Sequence, residues 1–444
     1  MSPAPSIVAA LAAQDRGELS AADLVESCLE RIDRWEADYR AWVVVDAEGA
    51  RRRARELDEL RSSQGPVGPL HGIPLGIKDI FDVAGFPTLA GSALRTGHVA
   101  VADAPVVERL RRAGAIFLGK TVTTEFACFD PSPSRNPWNA AHTPGGSSSG
   151  SAVGVALGMC LGAIGSQTGG SITRPASYCG VWGAKPTFGA LDLRGVVPVS
   201  FHLDHPGPLG RSAEDLQLLA EVMAGRGARQ RWQRFVAEHP PCTRPSLGVL
   251  GGFFRQEADE ESLAAFDQTV ERLRGAGATI VDAELPDSFA RVHQFHARIM
   301  AVEAALYHRR TFERDRGQFS DSLGALLEKG LKTRSVDYAE ALAHQRLFRR
   351  EAQRLAARFD ALVCLATPTP APPRLDTTGD PRFNSPWSYA GLPTVSLPIA
   401  LSSAGLPIGL QCIGQAWSEP RLFATAAWCG RAMRWGKSPP CLTD

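Results

Sequence analysis

The chain has 444 residues, of which 44% are hydrophobic and 21% are charged, a globular composition that excludes extended disorder. Lys and Arg number 48 against 47 Asp and Glu, so the formal net charge is +1, and this balance predicts no basic surface for nucleic acid. The longest apolar stretch, 152–164, is shorter than the about 20 residues of a membrane-spanning helix. Nine cysteines without a CxxC pair are typical of free thiols, so we expect a cytoplasmic protein with no membrane partner.

The first half of the chain alternates predicted helices and strands. A charged helical pattern covers residues 47–60. Ile73–Ile77 is predicted to be a short buried strand that delivers Lys78 inward, and a second strand is predicted at 115–118. The alternation continues to about residue 215 and predicts an α/β fold.

The second half of the chain has a different texture. Between residues 225 and 360 two long helical patterns dominate, about 287–310 and 336–359, and strand signals are scarce. We therefore expect residues 1–444 to form one domain, with a helical insertion or cap at about 225–360. The core of this domain is expected at about 55–215 and 361–415.

Residues 131–191 contain no Asp or Glu and are rich in glycine. Four glycines recur at every fourth position and predict one tightly packed helix: Gly150, Gly154, Gly158 and Gly162. On either side of this ladder a glycine pair precedes a serine, at Gly145–Ser147 and at Gly169–Ser171. Such loops let backbone N–H groups converge beside an exposed hydroxyl, as an oxyanion hole beside a nucleophile requires. The alternative is that both are polar turns.

Three other patterns carry weaker functional signals. Gly114–Thr121 matches the nucleotide-binding pattern GxxxxGK[ST], but its would-be loop is itself the predicted strand. Gly146–Gly150 matches the GxSxG nucleophile elbow without the strand that should precede it. The spacings His202-x-x-His205 and His293-x-x-His296 suit metal ligands, but no Cys or carboxylate cluster accompanies them. We expect structural histidines, no metal and no cofactor.

Three segments in order resemble the amidase signature family: Gly72–Asp79, Pro144–Gly150 and Gln167–Ala176. The resemblance implies a single α/β/α domain with a large mixed central sheet covered by helices, in agreement with the predicted alternation. Many members have an arginine two residues after the nucleophile, whereas Thr173 stands there in this chain and Arg174 follows it. In this respect the chain is similar to the malonamidase-type hydrolases of small amides.

The resemblance also implies a Ser–Ser–Lys triad. Ser171 corresponds to the nucleophile, Lys78 to the general base, and Ser147 to the serine that bridges them and follows a cis peptide bond in the family. A lysine base must be neutral, so its pKa has to fall from about 10.4 towards 7–8, which burial away from carboxylates favours. The family forms its oxyanion hole from loop residues that correspond to Thr168, Gly169 and Gly170, together with the nucleophile.

The predicted function is hydrolysis of the C–N bond of a small amide to a carboxylic acid and ammonia or an amine, through an acyl-enzyme on Ser171. Arg174 is expected to bind a substrate carboxylate, with a structural bridge to the sheet as the alternative. The expected partner is a small-molecule amide, and a homodimer is compatible with the resemblance.

Three other functions stay open. The first is the glutaminase subunit of a tRNA-dependent amidotransferase, which the balanced charge and Thr173 disfavour. The second is a lipid-amide hydrolase, disfavoured because no membrane-binding segment is visible. The third, from a different class, is a non-catalytic nucleotide-binding protein that uses the Gly114–Thr121 pattern.

Overall fold

A computed structural model describes residues 4–241 and 243–442. Within these residues, eleven strands form one sheet. The strands are β1 (Trp42–Val45), β2 (Pro74–Lys78), β3 (Ile116–Thr121), β4 (Gly162–Gln167), β5 (Trp182–Lys185), β6 (His205–Gly210), β7 (Ser246–Leu250), β8 (Thr279–Ala283), β9 (Ala361–Leu365), β10 (Thr394–Leu401) and β11 (Pro407–Ile413).

The sheet is mixed, with the strand order β1-β3-β2-β4-β6-β5-β10-β11-β9-β7-β8. Strand β2 runs parallel to both of its neighbours, β3 and β4. The middle of the sheet, from β4 through β6, β5, β10 and β11 to β9, is antiparallel. Because the carboxyl ends of parallel strands meet at one edge, β2 and β4 deliver the residues that follow them to the same place.

Helices cover the sheet and complete the predicted α/β fold. The described residues form fifteen: α1 (Ile7–Asp15), α2 (Ala21–Tyr39), α3 (Ala47–Gln64), α4 (Pro105–Arg112), α5 (Ser149–Leu157), α6 (Thr173–Cys179), α7 (Ala213–Met223), α8 (Arg226–Glu238), α9 (Phe253–Gln256), α10 (Glu260–Gly275), α11 (Val292–Asp315), α12 (Asp321–Lys332), α13 (Ser335–Ala356), α14 (Ser385–Ala390) and α15 (Glu419–Met433). Across the described ranges, no helix combines the length and apolar character that crossing a membrane requires.

Two local predictions differ from the structure. The stretch 225–360 contains the two long helices α11 and α13 but also strands β7 and β8, which extend the sheet at one edge. Strand β8 is largely exposed, so it lacks the continuous apolar pattern that marks a buried strand. The glycine ladder is not one helix, because Gly158 has φ +71° and ends α5, and Gly162 already belongs to β4. The domain division remains a prediction.

Candidate active site

Lys78 is the last residue of β2, and its side chain is fully buried. Its Nζ donates to Ser147 Oγ at 2.7 Å and to Ser166 Oγ at 2.8 Å. Ser166 lies near the end of β4, the parallel neighbour of β2, so the sheet itself brings these two side chains together. The lysine therefore has two hydroxyl partners and is fixed within the sheet.

Burial lowers the pKa of Lys78 to about 7. The charges of Asp204 and Cys128 oppose this effect, but desolvation is the largest cause. A substantial fraction of the side chain is consequently neutral near pH 7, and a neutral amine can accept a proton from a hydroxyl group. The absence of acidic residues from 131–191 is consistent with this environment.

Ser147 lies in the turn that precedes α5 and is almost completely buried. The peptide bond between Gly146 and Ser147 is cis, as the resemblance implies. Gly145 has φ +79°, and a Cβ there would lie 2.9 Å from the Pro175 Cα, so this position requires glycine. This close approach sets the loop of Ser147 against the beginning of α6, next to the loop of Ser171.

The loop of Ser171 has the sequence Thr-Gly-Gly-Ser over residues 168–171, and we refer to it as the TGGS loop. It connects β4 to α6 and is closed by one side chain, since Gln167 Oε1 accepts hydrogen bonds from the Ile172 N–H at 2.9 Å and from the Thr173 N–H at 3.0 Å. Within the described ranges, the N–H groups of Gly169, Gly170 and Ser171 have no hydrogen-bond acceptor. These N–H groups are therefore available to a ligand, and the oxyanion hole remains a prediction.

Thr168, the first residue of this loop, is held from two sides. Its hydroxyl donates to the Asp204 carboxylate at 2.5 Å, and its carbonyl accepts from His296 Nε2 at 3.0 Å. Burial raises the pKa of Asp204 to about 6, so this carboxyl group is mostly ionised at neutral pH. The same carboxylate accepts from the N–H groups of Val199 and Ser200. The TGGS loop is thereby tied to the segment that precedes β6.

Ser147 and Ser171 both line a cavity of about 620 Å³. Its lining combines the two glycine-serine loops with side chains from α9, α11, α12 and residues 378–385. The lining residues are Ala127, Cys128, Phe129, Ser147, Thr168, Gly169, Gly170, Ser171, Arg174, Phe253, His293, His296, Ala297, Met300, Leu326, Lys329, Thr378, Gly379, Asp380, Pro381, Arg382 and Ser385.

Arg174 lies at the wall of this cavity and is only partly satisfied. One Nη atom donates to the Gly146 carbonyl at 2.7 Å and to Thr378 Oγ1 at 3.1 Å. Its Nε and its second Nη are buried and have no hydrogen-bond partner in the described part of the chain. Arg174 therefore supports the loop of Ser147 and also leaves two N–H directions that an anionic ligand can use.

The weaker sequence patterns have structural explanations. Lys120 of the GxxxxGK[ST] match lies in β3 and pairs with Asp79 at 3.0 Å, both side chains being fully buried. Ser148 of the GxSxG match donates to the Ser166 carbonyl at 3.2 Å. Among the described residues, no group of three His, Cys, Asp or Glu side chains could hold a metal ion.

The sequence analysis did not assign four residues to the site: Ser166, Asp204, His293 and His296. Asp204 directly precedes His205, one of the histidines that were considered for metal binding, but it lies outside the three segments that carry the resemblance. The histidines were interpreted as structural, yet both line the cavity. Their helix, α11, lies outside the three segments that carry the resemblance. The packing of the fold brings this helix against the TGGS loop.

Comparisons with known proteins identify the family of this chain. A family model described as Amidase matches residues 23–423. The A subunit of the glutamyl-tRNA(Gln) amidotransferase from Symbiobacterium thermophilum is 33% identical, with 96% of each chain covered. A crystal structure of an amidase is 32% identical with a TM-score of 0.88, covering 97% of this chain and 100% of the other. The peptide amidase of Stenotrophomonas maltophilia is 30% identical with a TM-score of 0.83, covering 98% of both chains. This chain belongs to the amidase signature family and is an amide-hydrolysing enzyme.

Proposed function

We propose that the enzyme hydrolyses a carboxylate-bearing amide through an acyl-enzyme on Ser171, with Ser147 and Lys78 as the proton relay. The observation that carries this proposal is the fully buried Lys78, whose pKa is lowered to about 7 and whose Nζ lies 2.7 Å from Ser147 Oγ. Ser147 and Ser171 line the same cavity. A buried neutral amine beside a serine hydroxyl is suited to accept a proton from it.

In the first step Ser171 Oγ attacks the amide carbonyl carbon and its proton passes to Ser147, whose own proton passes to neutral Lys78. The carbonyl oxygen becomes an oxyanion, which the N–H groups of Thr168, Gly169, Gly170 and Ser171 are proposed to stabilise. The proton then returns along the same relay to the leaving nitrogen as the C–N bond breaks. Water then attacks the ester carbonyl carbon and gives up a proton through Ser147 to Lys78. The proton returns to Ser171 Oγ as the bond between that oxygen and the acyl carbon breaks, and the acid leaves.

Arg174 is the proposed anchor for the substrate carboxylate. Its unpartnered Nε and Nη are buried at the cavity wall and point from different edges of the guanidinium, so a carboxylate can accept from either one but does not bridge both. Since desolvation lowers the pKa of this guanidinium, an anionic ligand is favoured there. We expect Arg174→Met to raise KM for malonamate at least tenfold and to leave KM for propanamide within twofold. Equal changes for both amides would assign Arg174 to structure alone.

The test of the function is ammonia release from malonamate, aliphatic amides, aromatic amides and glutamine by the wild type and by Ser171→Ala. Loss of a triad nucleophile lowers kcat by roughly 10⁴-fold or more. Ser148→Ala is the matched control, since Ser148 is a neighbouring buried serine outside the proposed relay. Turnover that survives in Ser171→Ala would overturn the assignment of the nucleophile.

A second candidate is the glutaminase subunit of a tRNA-dependent amidotransferase. The relative from Symbiobacterium thermophilum carries an amidotransferase name and matches almost the whole chain, which supports this candidate better than a stand-alone small-amide hydrolase. Its name also conflicts with the expectation that no nucleic acid takes part. Glutamine carries an α-ammonium group, which a carboxylate in the cavity would have to bind. Asp380 is a carboxylate on the cavity lining, but Arg382 already donates to it at 2.6 Å. Glutamine hydrolysis that exceeds malonamate hydrolysis in the panel would establish the second candidate.

A further inference from the structure

The cavity is larger than the reacting group of a small amide requires. Its volume of about 620 Å³ lies in the range of about 300–1,000 Å³ that is typical of drug-sized ligands. The lining beyond the glycine-serine loops includes Phe253 from α9, Met300 from α11 and Leu326 from α12. This second part of the lining is mostly apolar, so it favours an uncharged, partly apolar substituent on the substrate.

One polar atom in this apolar part lacks a partner. The Nδ1 of His293 lies 3.2 Å from Ser385 Oγ, whereas its Nε2 is buried and has no hydrogen-bond partner in the described part of the chain. Burial lowers the pKa of His293, which favours the neutral imidazole. When Nδ1 accepts from the Ser385 hydroxyl, the neutral ring carries its hydrogen on Nε2, which then donates to a ligand acceptor. A buried polar atom without a partner is unfavourable, so a ligand that supplies the partner gains affinity.

The surroundings of His293 select the shape of that ligand. The Phe253 ring lies 5.1 Å from the imidazole with an angle of 34° between the two planes, and both residues line the cavity. The two rings contact each other and form one aromatic wall of the cavity, which favours a flat aromatic group over an aliphatic chain. The guanidinium of Arg382 on the same lining is paired with Asp380 and Glu257, so it does not select for an anion here.

We propose that Phe253 and His293 form a subsite for an aromatic substituent of the substrate that carries one hydrogen-bonding ring atom, such as a pyridine-type ring. The inference rests on the proposed function, since it specifies the substrate of that same cavity. Arg174 holds the carboxylate, the loop of Ser171 holds the amide, and Phe253 with His293 holds the ring. Phe253 and His293 are thus specificity-determining residues rather than catalytic ones.

The experiment measures binding separately from turnover. Calorimetry with Ser171→Ala determines the affinity for malonamate and for its benzyl and pyridin-3-ylmethyl derivatives, with the ring placed on C2 in one pair and on the amide nitrogen in the other. We expect a pyridylmethyl compound to bind at least tenfold tighter than malonamate and at least threefold tighter than its benzyl counterpart. Adding His293→Phe should reduce that pyridyl preference to within twofold, and adding Phe253→Leu should weaken both ring compounds.

His344→Phe is the matched control, because His344 is a half-buried histidine that bonds to Tyr389 and Ser288 and does not line the cavity. It should leave all affinities within twofold, and His293→Asn provides a second variant if His293→Phe does not fold. Ring compounds that bind no better than malonamate, or a pyridyl preference that survives both His293 variants, would overturn the subsite. Ring-dependent binding without hydrolysis of any compound by the wild type would instead overturn the proposed function and leave the subsite standing.

Discussion

Two buried lysines on neighbouring parallel strands have opposite chemical surroundings. Lys78 ends β2 and Lys120 lies in β3, and both side chains are fully buried. Lys120 contacts the Asp79 carboxylate at 3.0 Å and the Pro87 carbonyl at 2.7 Å. Lys78 contacts two serine hydroxyls and, in the described part of the chain, no carboxylate. The comparison shows how one contacting carboxylate changes the electrostatic environment of a fully buried lysine.

Desolvation lowers the pKa of both lysines, but the opposing charge differs. For Lys120 the contacting carboxylate of Asp79, at 3.0 Å, opposes the effect of burial and forms an ion pair with the side chain. For Lys78 the strongest opposing charge is Asp204, with which it forms no salt bridge, and its pKa stays at about 7. The sheet achieves this difference through strand geometry, because Asp79 follows Lys78 directly and turns towards the other lysine. Burial with a carboxylate gives a structural cation, and burial with hydroxyls gives a candidate base.

The largest expected effect follows from removing the candidate base. Lys78→Met should lower kcat/KM by roughly 10⁴-fold, the upper range for a positioned general base, while the thermal unfolding temperature stays equal or rises because a buried amine is replaced by an apolar side chain. The measurement is amide turnover combined with scanning calorimetry. A variant that retains activity within tenfold would show that Lys78 and Lys120 differ in surroundings but not in role.

The opposite outcome is expected for the structural lysine. Lys120→Met leaves the Asp79 carboxylate buried without its cation, so the free energy of unfolding should fall by about 3–5 kcal/mol. The kcat of the folded fraction should stay within a few-fold, since Lys120 does not line the cavity. Urea denaturation checks this, and the double variant with Asp79→Asn should recover part of the loss. A single variant as stable as the wild type would remove the distinction from Lys78.

The sequence carried the local part of this comparison. Three features are patterns of neighbouring residues and could be identified from the sequence. They are the buried strand that ends at Lys78, the two glycine-serine loops and the acid-free stretch. Side chains alternate between the two faces of a strand, so Asp79 is expected on the opposite face from Lys78, but this alternation does not identify Lys120 as its partner. That pairing depends on the register between β2 and β3, which no local pattern encodes.

The other differences between the sequence-based predictions and the structure also result from long-range packing. Gly158 looked like the third member of a helical stripe, but its positive φ ends α5, a conformation that spacing alone does not reveal. His296 looked like a core residue of a helix, and only the packing of α11 against the TGGS loop gives it the Thr168 carbonyl as a partner. Long-range contacts thus determine which of several polar residues belong to the site.

The pH dependence offers a third way to test the comparison. Because the pKa of Lys78 is about 7 and the neutral amine is the proposed active form, kcat/KM should rise with pH through about 7 and level off above about 8. At pH 6 roughly a tenth of the plateau value is expected, since about one site in ten is then neutral. A pH series with malonamate measures this. A profile that is flat between pH 6 and 8 would place the titrating group elsewhere.

The smallest effect is expected from the one carboxylate that raises the pKa of Lys78. Asp204 stabilises the protonated lysine through space, so Asp204→Asn should lower the pKa of Lys78 and move the rise of kcat/KM to a lower pH, by less than about one pH unit. The plateau should also fall several-fold, because an amide holds the Thr168 hydroxyl less firmly than a carboxylate does.

Asp215→Asn is the matched control for this shift. Asp215 is also buried, but its carboxylate accepts from the N–H groups of Val8 and Arg211, outside the cavity lining. Its replacement should lower stability and leave the midpoint of the pH profile in place. A midpoint that moves to higher pH in Asp204→Asn would contradict the argument, since it would mean that the lysine becomes easier to protonate when a negative charge is removed. A midpoint that moves to lower pH would show that Asp204 raises the pKa of Lys78 without a salt bridge, whereas Asp79 raises the pKa of Lys120 through direct contact.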